Sequence, residues 1–350
     1  MSSTQWEGLV DLDRLSAWMD GQGLYGDAIE SPTLLPGGTQ NILLRFTRGG
    51  REYVLRRPPR HPRMDGNTTI LRESRMLRAL ADTDVPHPRL IAACESPEVL
   101  GAAFYLMASV QGFNATMGLP ALHAGDPAIR HRMGLSLADG AASLARVDPV
   151  AVGVANMGKA DGFLERQVPR WRKQLEGYRE FDGWPGPGCI AHVDNVGRWL
   201  DAHRPARFVP GIVHGDYHLS NVIIRNNGPE LAAIVDWELT TIGDPLLDLG
   251  WIMATWPDRD GVSPVDVTAT PWDGFATAQE LVERYAQASD RDLSNVQWYA
   301  VLACYKLGIV QEGTHARACA GKAPRETGDR LHRYTVNLFE RAARWIDGAA

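Results

Sequence analysis

The chain has 350 residues, more than one small core requires, which implies two domains or lobes. Its 36 basic and 42 acidic side chains leave a formal net charge of −6, which argues against a general nucleic-acid binder. The 44% apolar and 22% charged content is ordinary for a globular chain in water. No apolar run approaches the roughly 18–20 residues that span a bilayer. The N-terminal MSSTQWEGLVDLDRL lacks a basic segment followed by an apolar one, so the expectation is a cytoplasmic protein without signal peptide or membrane partner. Cys94, Cys189, Cys304 and Cys319 are too scattered for a disulfide framework or a metal-ligand pattern.

In chain order, Leu12 to Met19 reads as a short amphipathic helix, ended by the glycines at 21 and 23. Leu34 to Asn41, with Gly37 and Gly38, separates two extended pieces. The strand from Asn41 to Thr47 alternates Ile42, Leu44 and Phe46 on one face. After a turn at Gly49-Gly50 the chain returns as Glu52 to Arg56, with Val54 and Arg56 facing the same way. A glycine pair of this kind is either a plain turn or a loop whose N–H groups lie over phosphates; the GxxxxGK[ST] pattern of a P-loop is absent. Thr68 to Ala81 is a helix with Ile70, Leu77 and Leu80 on its inner stripe. Glu73 falls on that stripe and needs a partner if buried: Arg56, or else Arg72 or Arg78 in solvent.

Extended segments follow at Pro86 to Ala93 and Phe104 to Met107, then a connector from Ala108 to Gly112. The connector is the expected boundary between a strand-rich part, residues 1–107, and a mostly helical part, residues 108–350. The fold class is therefore α+β. Helices are expected at 128–146, 163–178, 193–202, 279–289, 294–313 and 331–346. Asp258 to Trp272 shows no periodicity.

Gly211 to Trp251 departs from this helical pattern. Ile212-Val213 leads into His214, Asp216, His218 and Asn221. Val222 to Ile224 and Leu231 to Ala233 flank the turn residues Asn226 to Pro229, a β-hairpin signal. Such a hairpin brings Asn221 and Asp236 to one end, with Asp216 in the loop just before. Two carboxylates and an amide are oxygen ligands suited to Mg²⁺. Asp244 and Pro245 read as the cap and first residue of a further helix.

The order of these features resembles the aminoglycoside phosphotransferase and choline kinase family, which shares the two-lobed protein-kinase-like fold. The resemblance runs from about Leu34 to Gly313 and is specific at HGDYHLSN, IVDWE and GDPLLDLGW. From LPGGTQN, YVLRRPP and HGDYHLSNVII together, it is most similar to the branch also found fused to acyl-CoA dehydrogenases. The resemblance implies an ATP- and Mg²⁺-dependent enzyme that phosphorylates a hydroxyl of a small molecule. On that basis Asp216 orients the acceptor hydroxyl and takes its proton late. Asn221 and Asp236 bind the metal, and His218 donates to the transferred phosphate or else bonds to backbone. Gly37, Gly38, Arg56, Glu73, Met107 and Val110 belong to the nucleotide site. His214 and Asp248 are assigned structural work in the loop. Arg56 stands where the family usually has lysine, a replacement that is not neutral.

For the acceptor, the helix with Tyr299, Tyr305 and Glu312 is the expected source of specificity. The dehydrogenase-linked resemblance suggests a hydroxyacyl-CoA, with Arg56, Arg57, Arg60, His61 and Arg63 as possible phosphate partners. An aminoglycoside kinase is the alternative, weakened by the lack of a dense acidic cluster among Asp258, Asp260, Glu280, Glu283 and Glu312. A non-catalytic nucleotide-binding scaffold is the third reading.

Overall fold

The computed structural model describes residues 6–35, 41–59 and 66–348. The first part comprises α1 (Leu12–Gly21), β1 (Glu30–Leu34), β2 (Ile42–Arg48), β3 (Arg51–Arg57), α2 (Gly66–Ala79), β4 (Leu90–Cys94) and β5 (Phe104–Ala108). The second comprises α3 (Ala121–Gly125), α4 (Pro127–Arg146), α5 (Gln167–Gly177), α6 (Val193–Ala202), β6 (Gly211–Val213), β7 (Val222–Ile224), β8 (Leu231–Ile234), β9 (Thr241–Gly243), α7 (Leu246–Thr255), α8 (Ala278–Ala288), α9 (Val296–Cys319) and α10 (Arg325–Ile346). An antiparallel sheet followed by a mostly helical remainder is the α+β class the sequence implies.

The five strands order β1-β2-β3-β5-β4, all antiparallel. Period-two alternation divides the sheet's faces. Leu44, Phe46, Tyr53, Leu55, Phe104 and Leu106 pack with Leu15 and Met19 of α1 in one core. Full burial of each large apolar side chain contributes roughly 1.5–3 kcal/mol. The intervening residues Leu43, Arg45, Val54 and Arg56 are left to the other face, where they line a cleft. A one-residue slip of β3 would exchange Arg56 for Leu55, so core burial fixes the position of this arginine.

Helix α2 closes that face and runs Ile70, Glu73 and Leu77 along its buried stripe. Its apolar residues join the core of the helical part rather than that under α1. That larger core takes Met133 and Leu137 of α4, Trp251 of α7, and Trp298 and Tyr305 of α9. Hairpin β7–β8 pairs Val222 with Ile234 and Ile223 with Ala233, as its turn signal implies.

Several boundaries differ from the sequence expectation. Helix α5 begins at Gln167 rather than Phe163. Pro169 has no N–H, so it sits in the first helical turn, where none is needed. Helix α9 extends to Cys319 and α10 starts at Arg325, straight after Pro324. The pairing of β6 with β9, Ile212 opposite Ile242, was invisible because each strand has only three residues.

Candidate active site

The loop from His214 to Asn221 leaves β6 over the buried N-terminal turn of α7. Asp248 accepts His214 N–H at 2.7 Å and Gly215 N–H at 2.9 Å, the loop-supporting role expected of it. His214 is fully buried; its Nε2 lies 3.0 Å from Val235 O, and its Nδ1 accepts Asp216 N–H at 3.3 Å. Burial depresses its pKa, and one donating and one accepting nitrogen define a neutral ring. Gly215 has φ +88°, and an added Cβ would lie 2.7 Å from Leu239 O, so this sharp turn excludes other residues.

These supports fix Asp216. Its Oδ1 accepts Trp251 Nε1–H at 3.0 Å and lies 3.2 Å from His218 Nε2. Its Oδ2 accepts from Asn221 Nδ2 at 2.9 Å. Burial acts to raise the Asp216 pKa, but His218 beside it, aided by Lys306, holds the carboxyl well below the usual carboxylate range. Asp216 is thus an ionised acceptor aimed at a partly exposed position. Asn221 Nδ2 also donates to Asp216 O at 2.9 Å, which turns its amide oxygen away from the loop.

Asp236 follows β8 with φ +67°, a left-handed conformation that a short acidic residue tolerates better than a branched one. It meets Arg56 of β3, whose Nη2 donates to Asp236 Oδ1 at 2.6 Å. The same guanidinium places Nε 2.7 Å from Glu73 Oε2 and Nη2 3.1 Å from Glu73 Oε1. Of the three partners open for Glu73, the structure thus selects Arg56; Arg72 instead donates to Met157 O and Thr240 O. Tyr105, opposite Arg56 on β5, donates to Glu73 Oε2 at 2.8 Å. Burial pushes Glu73 up to about 7, against the pull of Arg56 and Tyr105. Burial also works against charge on Arg56, yet Glu73 and Asp236 raise its pKa above the ordinary value.

Arg56, Asp216, Asn221 and Asp236 face one cleft of about 760 Å³ between the sheet and the helical part. Its apolar wall includes Leu43, Val54, Met107, Phe113 and Ile223, with Val110 just beyond the end of β5. The structure thus brings Arg56, Met107, Val110, Asp216, Asn221 and Asp236 to one cleft, with Glu73 behind Arg56 and His218 beside Asp216. Gly37 and Gly38 lie outside the described residues, as do Arg60, His61 and Arg63. Arg57 corrects an expectation. It is buried on the opposite face, where Nη1 donates to Leu9 O and Leu100 O, as alternation along β3 requires. Tyr299, Tyr305 and Glu312 are likewise interior: Tyr299 hydroxyl bonds Asp244, and Glu312 bonds Trp184 and His332. Helix α9 reaches Asp216 through Lys306 instead.

Four contributors escaped sequence reasoning. Trp251 and Glu238 lie inside the quoted motifs GDPLLDLGW and IVDWE but were given no role. Glu238 Oε2 accepts from Asn41 Nδ2 at 3.2 Å and lies 3.6 Å from Arg56. Tyr105 and Lys306 sit in apolar runs with no local signal.

Known proteins bear on this geometry. The model of the "Phosphotransferase enzyme family" matches residues 32–294. Acyl-CoA dehydrogenase family member 10 of Mus musculus is 27% identical over 332 residues, covering 92% of this chain and 30% of that protein. The chain thus spans about a third of the length of such curated relatives. A putative aminoglycoside phosphotransferase from Ralstonia eutropha superposes with TM-score 0.77 at 27% identity, covering 96% of this chain and 99% of that one. A thermostable mutant of aminoglycoside phosphotransferase APH(4)-Ia, solved with AMP-PNP and hygromycin B, has TM-score 0.58 at 14% identity, over 92% and 98% of the two chains. The fold is accordingly the protein-kinase-like one, and the resemblance read from HGDYHLSN and IVDWE holds. With its motifs on this scaffold and three quarters of its length matched, the chain belongs to the phosphotransferase enzyme family.

Proposed function

We propose that the protein transfers the γ-phosphoryl group of ATP, with Mg²⁺, to a hydroxyl of a small molecule, a hydroxyacyl-CoA being the favoured acceptor class. One observation carries the reading: Asp216, Asn221 and Asp236 converge on a single cleft opposite the Arg56–Glu73 pair. Phosphoryl transfer needs positioning and charge neutralisation more than covalent chemistry from the protein. Residues 1–107 and 108–350 act as the two lobes that enclose the nucleotide. Met107 and Val110 flank the adenine, and Gly37 and Gly38 belong over the phosphates.

The donor set fits the metal. Asn221 presents an amide oxygen and Asp236 a carboxylate, hard ligands matched to Mg²⁺. When bound, the ion neutralises charge on the β- and γ-phosphates. Arg56, oriented by Glu73, bonds phosphate oxygens. Asp216, ionised and immobilised by Trp251, His218 and Asn221, accepts the acceptor's hydroxyl hydrogen bond and takes the proton as the oxygen–phosphorus bond forms. His218 stabilises the ionised Asp216 through Nε2, and its Nδ1, 2.8 Å from Ser220 Oγ, fixes the ring there.

The acyl-CoA preference is supported by the likeness to acyl-CoA dehydrogenase family members. The aminoglycoside reading is supported by structural neighbours, but two of the acidic residues it would draw on are already engaged. Glu280 is tied to Thr277 and His131, and Glu312 to Trp184 and His332. The test is ATP-dependent phosphorylation of a panel of hydroxyacyl-CoAs, aminoglycosides, choline and sugars. We expect a product with one or more hydroxyacyl-CoAs, and a loss of at least about 10³-fold in kcat in Asp216→Asn. Wild-type turnover in that variant would reject the assignment. ATP binding without transfer to any acceptor would favour a scaffold.

A further inference from the structure

We infer that Lys306 is an acceptor-binding residue, and that it selects a substrate whose hydroxyl lies near a carbonyl or carboxylate oxygen over a polyamine. The inference deepens the phosphotransferase reading and takes from it the place of Asp216. Lys306 lies in the middle of α9, after a buried run from Trp298 to Tyr305 that holds no charged residue. Its Nζ donates to Gly215 O at 2.9 Å, immediately before Asp216. The ammonium sits over the Trp251 ring at 4.4 Å and the Trp171 ring at 5.7 Å. Both contacts fall within cation–π range and pin the charge in place.

Three features make this more than a strut for the loop. An ammonium has three N–H donors, and the bond to Gly215 O is its one hydrogen bond among the described residues. Trp251 serves both groups, offering its ring face to Lys306 and its Nε1–H to Asp216. Lys306, Trp251 and Trp171 are also absent from the lining of the nucleotide cleft, which Asp216 does line. The acceptor is assigned to that side of Asp216, where Lys306 is only partly buried. Arg170, 4.9 Å over Trp171, adds a second positive charge on that side. A polyamine brought to Asp216 would meet these cations, while an oxygen acceptor near the reacting hydroxyl takes a free N–H of Lys306. Free hydroxy acids and their thioesters share that chemistry.

The test is calorimetric binding to the full chain with Mg²⁺ and AMP-PNP present. Its probes are 3-hydroxybutyrate, 3-hydroxybutyryl-CoA, butane-1,3-diol and kanamycin. We expect the acid, the thioester or both to bind about 10- to 100-fold more tightly than the diol, the worth of one charge-assisted hydrogen bond. Preference for the acid identifies the carboxylate as partner, and preference for the thioester the acyl carbonyl. Lys306→Met should erase the preference without weakening AMP-PNP binding more than about threefold, and Lys306→Arg should keep part of it. Equal binding of all probes by the wild type, binding of none, tighter binding of kanamycin, or a preference that survives Lys306→Met each overturns the inference. Failure of the phosphotransferase reading is distinguishable: binding would follow this pattern with no phosphorylated product.

Discussion

Arg56 is the residue on which the N-terminal part of the site turns. It is buried, paired with buried Glu73, and bonded to Asp236 across the cleft. Removing one member of a buried ion pair costs about 3–5 kcal/mol, because the other is left uncompensated. Arg56→Ala should therefore lower unfolding stability by that amount at pH 8, measured by denaturant titration. Glu73 is already pushed to about 7 by burial, and losing its cation raises it further. A neutral carboxyl needs no partner, so the deficit should shrink as pH falls toward 5. A deficit independent of pH would mean that lost packing dominates. Lys306 supplies a second pH dependence. Burial lowers its pKa to about 8, against Asp216 and Asp248, which raise it, and with Arg170, which lowers it further. The charge is present below that value and lost above it. Binding of a carbonyl-bearing acceptor should weaken as pH rises from 7 to 9.5, while Lys306→Arg, which stays charged, should show a flat profile.

Among the elements, α7 and α9 determine how well the site is held, since α7 carries Asp248 and Trp251 and α9 carries Lys306. They approach at Gly250, where an added Cβ would lie 2.4 Å from Tyr299 O and 2.5 Å from its carbonyl carbon. Helix propensity alone favours alanine there by about 1 kcal/mol. The obstruction is backbone, which cannot rotate away, and overpacking costs about 1–3 kcal/mol. Gly250→Ala should thus be destabilising in a urea titration and should reduce kcat by moving Trp251 and Lys306 relative to Asp216. A stabilised variant would show that the helices separate freely. This contact also marks the limit of what sequence conveys. Local signals recovered β2, β3, α2 and the β7–β8 hairpin because alternation and turn chemistry act over a few residues. The inward Glu73 was legible because a carboxylate on an apolar stripe demands a cation. Lys306 was not, because nothing within α9 reveals that the helix crosses the HGD loop. Arg57 was counted among the possible phosphate partners, although alternation along β3 already turns it to the face opposite Arg56.

At the scale of the whole molecule, the connector after β5 divides the chain but not the core. The α2 stripe packs with the helical part, and polar bonds cross the same gap. Arg72 reaches Thr240 O, Arg75 reaches Gly153 O, Ile234 N–H bonds Pro86 O, and Arg56 bonds Asp236. Heating should therefore give one cooperative transition rather than one per lobe, and two separate transitions would contradict a shared core. A ligand bound across the cleft stabilises both sides at once. At 100 times its dissociation constant, MgATP should add about 2.7 kcal/mol, which for a chain of this length is a rise of about 4 °C in Tm. Asp236→Ala removes a proposed metal ligand but leaves Arg56 its pairing with Glu73, so the variant should stay folded. Its MgATP-induced rise should fall below about 1 °C, because the ion then has little beyond Asn221 to hold it against the protein. A full rise in Asp236→Ala would place the metal elsewhere, and with it the end of the nucleotide that Asp216 is positioned to meet.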